Sequence, residues 1–161
     1  MDKQELYEKW VDKVCQFIES VGPEINCTSC AMQSKPVLDK SPQVVFLGYN
    51  AHEPFPYQGA NKERFYKGNP YFYTEREKWP VWGKLYAAMK WAEFTEPMED
   101  GNFVFMNAVY FGSQDIKDLK AKKGSAEIIN QCLDFSAEVI KDIYHPKAVV
   151  CFSIPDCFTP F

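Results

Sequence analysis

An α/β fold of three layers, with helices on both faces of a short and mainly parallel sheet, is predicted by two features of this 161-residue sequence. Apolar runs rich in β-branched and aromatic residues recur at Gln43–Leu47, Phe103–Met106 and Ala148–Phe152, the pattern of buried strands. Stretches with apolar side chains at helical spacing fall between and before them. Strand, helix, strand, helix, strand implies parallel neighbours, because parallel pairing needs a crossover and right-handed crossovers alternate the covering layer.

In chain order, Leu6, Trp10, Val14, Phe17, Ile18 and Val21 predict an amphipathic helix over 2–21, which Gly22-Pro23 should stop. Residues 24–42, which include Cys27 and Cys30, lack periodicity and read as a loop crossing the surface toward the first strand. That strand ends at Gly48, and the loop after it begins GYNAHE. Residues 54–80 are rich in Pro, Gly, Asn and aromatic residues and read as an irregular lid or pocket wall. Trp82, Leu85, Met89 and Trp91 or Ala92 return to helical spacing, and Glu99–Asn102 is a turn into the second strand, which ends at Asn107. Ser125 is the expected N-cap of a helix running to about Tyr144, with Ile129, Cys132 or Leu133, Ser136 or Ala137, and Ile140 on its inner stripe, and Pro146 ends it.

Length and composition narrow the function classes. The chain is the size of a single domain, 1–161, with 46% hydrophobic and 25% charged residues. A net charge of -4 argues against a whole-surface basic nucleic-acid binder. The dense basic stretch Lys117, Lys120, Lys122 and Lys123 is the local patch through which DNA contact would run, although Asp115 and Asp118 dilute it and a solvated loop is an equal reading. A charged N-terminus and the lack of a long apolar window point to a cytosolic protein outside the membrane. In a reducing compartment the six cysteines read as buried thiols or metal ligands, not disulfides.

Ligands of open parallel sheets bind at the carboxyl ends of the strands, which selects Gly48–Glu53 and Asn107–Ser113 as two walls of one pocket. At these ends the sequence resembles the uracil-DNA glycosylase superfamily, over about residues 43–157. VVFLGYNAHE resembles the family's first motif, with Gly48 and Asn50 matching and Ala51 standing where a proline is usual. FVFMNAVYF resembles the second-strand motif, with Asn107 at the base-reading asparagine, and CLDFSAEVIKDIYHPKAVVCFS resembles the helix and strand that follow. The resemblance implies that Asn50 holds the attacking water and that Asn107 pairs with N3–H and O4 of uracil, with Gly48 and Tyr49 in the same motif. His52, near the predicted pocket, is a candidate for a polar role there, with an exposed loop histidine as the stronger reading, since its place in the motif matches no functional histidine of the family. It also implies a stacking aromatic, for which Phe65 and Phe72 are candidates and Phe72 is preferred. Catalysis would rest on flipping the nucleotide out and stabilising the departing base anion, since an amide positions water but hardly deprotonates it.

The sequence also departs from the family. No His-Pro-Ser-Pro motif follows the third strand, so the expectation is a domain lacking the family's last strand and helix. His145-Pro146 lies at the opposite end of the sheet and reads as a helix terminator. Some members of the family hold an iron–sulfur cluster with four cysteines. Cys27, Cys30 and Cys132 match three of those places, but Tyr110 and Phe111 stand where the fourth belongs, so no cofactor is expected. An exposed edge on the third strand predicts self-association or a covering tail there. Three functions remain: a DNA glycosylase that excises uracil or a related base; a catalytically degenerate relative that binds a nucleobase or a protein; and, more distantly, a small-molecule α/β enzyme whose likeness at the strand ends is coincidental.

Overall fold

A computed structural model describes residues 2–152; the tail with Pro155, Cys157 and Pro160 lies outside the described residues. Three strands, β1 (Val44–Gly48), β2 (Phe103–Asn107) and β3 (Ala148–Cys151), form a sheet in the order β2-β1-β3. Both pairings are parallel, with Val44 opposite Phe103 and Ala148, and Gly48 opposite Asn107. Every residue of β1 and β2 is buried, whereas β3 is an edge strand and half-exposed along most of its length.

Helix α1 (Lys3–Ile25) starts at a reciprocal cap, in which the Asp2 carboxylate accepts from the Glu5 N–H and the Glu5 carboxylate accepts from the Asp2 N–H. Tyr7, Trp10, Val11, Val14 and Ile18 form its buried stripe. The helix runs past the stop expected at Gly22-Pro23 and ends at Asn26, in the left-handed conformation. A glycine before the proline removes the Cβ that would oppose helical geometry there. The same bare Cα admits the ring of Tyr57, which would overlap any Cβ at Gly22.

The expected surface loop after α1 is largely buried. Between Ser29 and Ser34 it runs antiparallel to β2, with bridges at Ser29–Phe111 and Met32–Met106. Asn107 N–H donates to Ala31 O at 2.7 Å, and Gln33 N–H donates to Phe105 O at 2.9 Å. The segment thereby covers the outer edge of β2, whose backbone groups would otherwise lack partners.

The expected irregular stretch 54–80 is also more regular than its composition suggests. It contains α2 (Lys62–Lys67), α3 (Pro70–Glu75) and a 3₁₀ turn at Arg76–Lys78. Asn61 and Asn69 cap the two helices through their side chains, and Pro70 occupies a first-turn position. The residues read as breakers are helix starters. Helix α4 (Pro80–Trp91) also opens on a proline but has no side-chain cap, and α5 (Glu96–Glu99) is a single turn before β2. Helix α6 (Ile116–Lys120) is capped by Asp115 and precedes α7 (Ser125–Glu138). Gly124, at φ 73°, is the N-cap of α7, so Ser125 is its first helical residue and instead donates to Lys120 O. A π-helical stretch, Val139–Tyr144, extends α7 and terminates at His145 in the left-handed conformation.

Helices cover both faces. Val45, Leu47, Val104 and Met106 pack with α1 and α7 in one apolar core. Val44, Phe46, Phe103 and Phe105 pack with Phe72 of α3 and Trp82, Leu85 and Met89 of α4 in another. No described helix is long and apolar enough to cross a membrane.

Candidate functional site at the β1–β2 rim

Beyond the strand ends the two following loops stay paired. Ala108 N–H donates to Gly48 O, Val109 N–H to Tyr49 O, and Ser113 N–H to Ala51 O, at 2.7, 2.7 and 3.0 Å. The third partner is the covering segment, where Cys30 N–H donates to Tyr110 O and Gly112 N–H donates to Thr28 O. Gly48–Glu53 and Asn107–Ser113 are therefore neighbours at one rim.

The two asparagines on this rim face different partners. Asn107 is 3% exposed, and its Nδ2 donates to Cys30 O at 2.8 Å and lies 3.6 Å from Cys30 Sγ. Because a backbone carbonyl only accepts, the nitrogen of the amide must face Cys30. The carboxamide oxygen then lies over the bare Cα of Gly48, 3.0 Å from where a Cβ would stand. The ring of Phe152 approaches the same point to 3.6 Å and packs edge-on against Phe105. Asn50 is half-buried, and its Nδ2 donates to Phe111 O at 3.2 Å and to Ser113 Oγ at 2.8 Å. Ser113 passes its own proton to Asp115 O. Among the described residues no hydrogen bond joins the two carboxamides.

Several groups that carry no motif complete the rim. Arg64 grips Glu53 with both terminal nitrogens, at 2.9 and 2.6 Å, in a pair only 14% and 22% exposed. Burial alone would lower the Arg64 pKa, but the hydrogen bonds it donates to Glu53 hold it above the usual value. The Cys30 thiol donates to Glu53 Oε1 at 3.4 Å and accepts from Gln33 Nε2 at 3.1 Å. Gln33 Oε1 in turn accepts from Asn69 Nδ2 at 3.0 Å. Burial drives the Cys30 pKa far above the ordinary thiol range, so the sulfur stays protonated.

No protein-family model, curated protein or solved structure matches the chain. The roles of these residues are therefore argued from their own geometry.

The other residues singled out in the sequence lie as follows. Tyr49 is buried beneath Lys120, whose Nζ stands 5.4 Å from the ring centre. His52 is exposed on the outside of its loop. Phe72 is fully buried in the second core against Trp82, Phe103 and Phe105, and Phe65 is buried against Trp10 in the first. Both rings therefore serve as core packing. Phe152, at the end of the third apolar run, approaches the rim at Gly48. Cys27 is 5% exposed beside Lys122, and Cys132 is fully buried in the first core with its pKa raised to about 12 by burial. Among the described residues no three His, Cys, Asp or Glu side chains are grouped to hold a metal ion. Lys120 and Lys122 border the rim through these contacts, while Lys117 and Lys123 are exposed beyond it.

Proposed function

We propose that the β1–β2 rim is a nucleobase site and that the protein is a uracil-DNA glycosylase-like enzyme, hydrolysing the N-glycosidic bond of uracil or a related base in DNA. One observation carries the reading: Asn107 is anchored by its nitrogen to Cys30 O, which leaves its oxygen as a fixed acceptor over the bare Cα of Gly48. A fixed acceptor there selects a base that offers a ring N–H, as uracil does at N3, and rejects cytosine, whose N3 is itself an acceptor. Asn50 is held in the same way by Phe111 O and Ser113 Oγ, so its oxygen is free to accept from a water. An amide in this role orients the water, and the chemistry is left to electrostatic stabilisation of the separating charges. Lys120 and Lys122, at the border of the rim, would meet the phosphates of an extruded nucleotide.

A second reading, a base-binding module without catalysis, is favoured by the Phe152 ring, which occupies the space over Gly48 and must swing aside before a base can enter. One experiment separates the two. A single-stranded oligonucleotide with one deoxyuridine is incubated with the protein, and abasic sites are read by alkaline cleavage. Cleavage that Asn50→Ala reduces by about a hundredfold or more, within the usual range for a catalytic polar group, supports the enzyme. Binding without cleavage supports the module, and absence of both from folded protein removes the nucleobase reading.

A further inference from the structure

We propose that Cys30 is a positioning residue whose buried thiol and carbonyl together fix which end of the Asn107 carboxamide faces the site, an inference that rests on the nucleobase reading above. Both hydrogens of Asn107 Nδ2 have an acceptor on this one residue, the carbonyl oxygen at 2.8 Å and the sulfur at 3.6 Å. The sulfur can accept only because its own proton is directed elsewhere, to Glu53 Oε1 at 3.4 Å. Glu53 cannot turn away to release that proton, since Arg64 holds both of its carboxylate oxygens. Gln33 Nε2 supplies a further donor to the sulfur at 3.1 Å and is itself fixed by Asn69.

The donors therefore run in one direction, from Asn69 through Gln33 to sulfur, from Asn107 to sulfur, and from sulfur to a carboxylate clamped by arginine. Reversing the Asn107 amide would set its oxygen against a carbonyl and against a sulfur whose proton points away. That arrangement leaves buried acceptors facing each other and is costly. At 1% exposure Cys30 has no water to rescue a reversed amide. The thiol thus acts at a distance from any ligand: it reinforces the orientation that the Cys30 carbonyl sets, and so the atom that Asn107 presents and the donor pattern of the base that fits.

The test uses Cys30→Ala and Cys30→Ser in the whole chain, with Cys132→Ala as a control that opens a comparable space in the first core. The first readout is hydrogen exchange and chemical shift of the Asn107 side-chain amide by NMR, with no ligand present. Exchange should rise about three- to tenfold in Cys30→Ala, the range that one lost hydrogen bond allows, and stay near the native rate in Cys30→Ser and Cys132→Ala. The second readout is the preference for a deoxyuridine oligonucleotide over the deoxycytidine counterpart, which should shrink by a similar factor in Cys30→Ala alone. If Cys30→Ala does not fold, Gln33→Leu should move the Asn107 amide in the same direction by less. An Asn107 amide unmoved in these variants, or an equal loss of affinity for both oligonucleotides in Cys30→Ala and Cys132→Ala, overturns the positioning role. Native protein that binds both oligonucleotides alike overturns the nucleobase reading instead, and the amide readout then decides the role of Cys30 without it.

Discussion

The two faces of the sheet are presented by alternate residues of the same strands, yet they are covered by unlike chemistry. The α1–α7 face carries directional groups: the indole N–H of Trp10 donates to Phe135 O at 2.9 Å, the Tyr7 hydroxyl donates to Phe65 O at 2.7 Å, and the Ser136 hydroxyl links Ala108 O with the Tyr110 hydroxyl. Three buried thiols, Cys15, Cys27 and Cys132, sit among them. The α3–α4 face is built almost wholly of rings and thioethers. Phe72 meets Trp82 and Phe105 edge to face, at 5.3 and 5.7 Å between centroids, and the guanidinium of Arg76 closes the outer side of the cluster over Phe72 and Trp82. The first face is pinned by bonds that name their partners, whereas the second is held by area and ring geometry.

Truncation on the second face should cost most, because the ring removed is fully buried and packs edge-on against several others. Phe72→Ala is expected to lose about 3–5 kcal/mol in urea unfolding. A loss below about 1 kcal/mol would mean that α3 does not close a packed core. On the first face a near-isosteric change isolates the directional part. Trp10→Phe keeps most of the ring but withdraws the donor from Phe135 O, and should cost about 1–3 kcal/mol. The same kind of trim at Trp82, whose ring lies in the cluster without a hydrogen bond from its indole among those found, should cost less than Trp10→Phe if the contrast between the faces is real.

How far these features could be read in advance follows from where their causes lie. Strands β1 and β2 were legible because every residue in them is buried, so the apolar run is the whole signal. The adjacency of Gly48 and Asn107 was legible from the strand-end rule for parallel sheets. Local punctuation misled where tertiary contacts reassigned it. Pro23 lies inside α1, Pro70 opens α3, and the covering segment at Ser29–Ser34 is buried because β2 needed an edge partner. The Cys30 network was not legible at all, since its bonds join residues 77, 23 and 11 positions apart and no spacing in the sequence encodes them. Phe152 was read only as the last residue of a strand, and its approach to Gly48 comes from the pairing of β3 with β1.

The faces also differ in their response to alkaline pH. Burial raises the pKa of Cys15 to about 11 and that of Cys132 to about 12, and it also raises those of Tyr7, Tyr110 and Tyr144, all in the first core. In the unfolded chain these thiols ionise near their ordinary value of about 8.5. Below that pH both states are protonated and stability is unaffected. Above it the unfolded chain loses protons that the folded chain retains, so stability falls as pH rises, with a slope of about 1.4 kcal/mol per pH unit for each such group. For Cys132 the fall should span about pH 9 to 12. Cys132→Ala should be less stable at neutral pH, having lost packing, yet show a shallower alkaline decline in urea midpoints taken across that window. Substitutions confined to the second core, such as Phe103→Leu, should lower the whole curve without changing its slope, because the buried residues of that core carry nothing that titrates. Parallel alkaline limbs for Cys132→Ala and the native chain would mean that the thiol reaches solvent before the fold opens, and that the first face is looser than its hydrogen bonds imply.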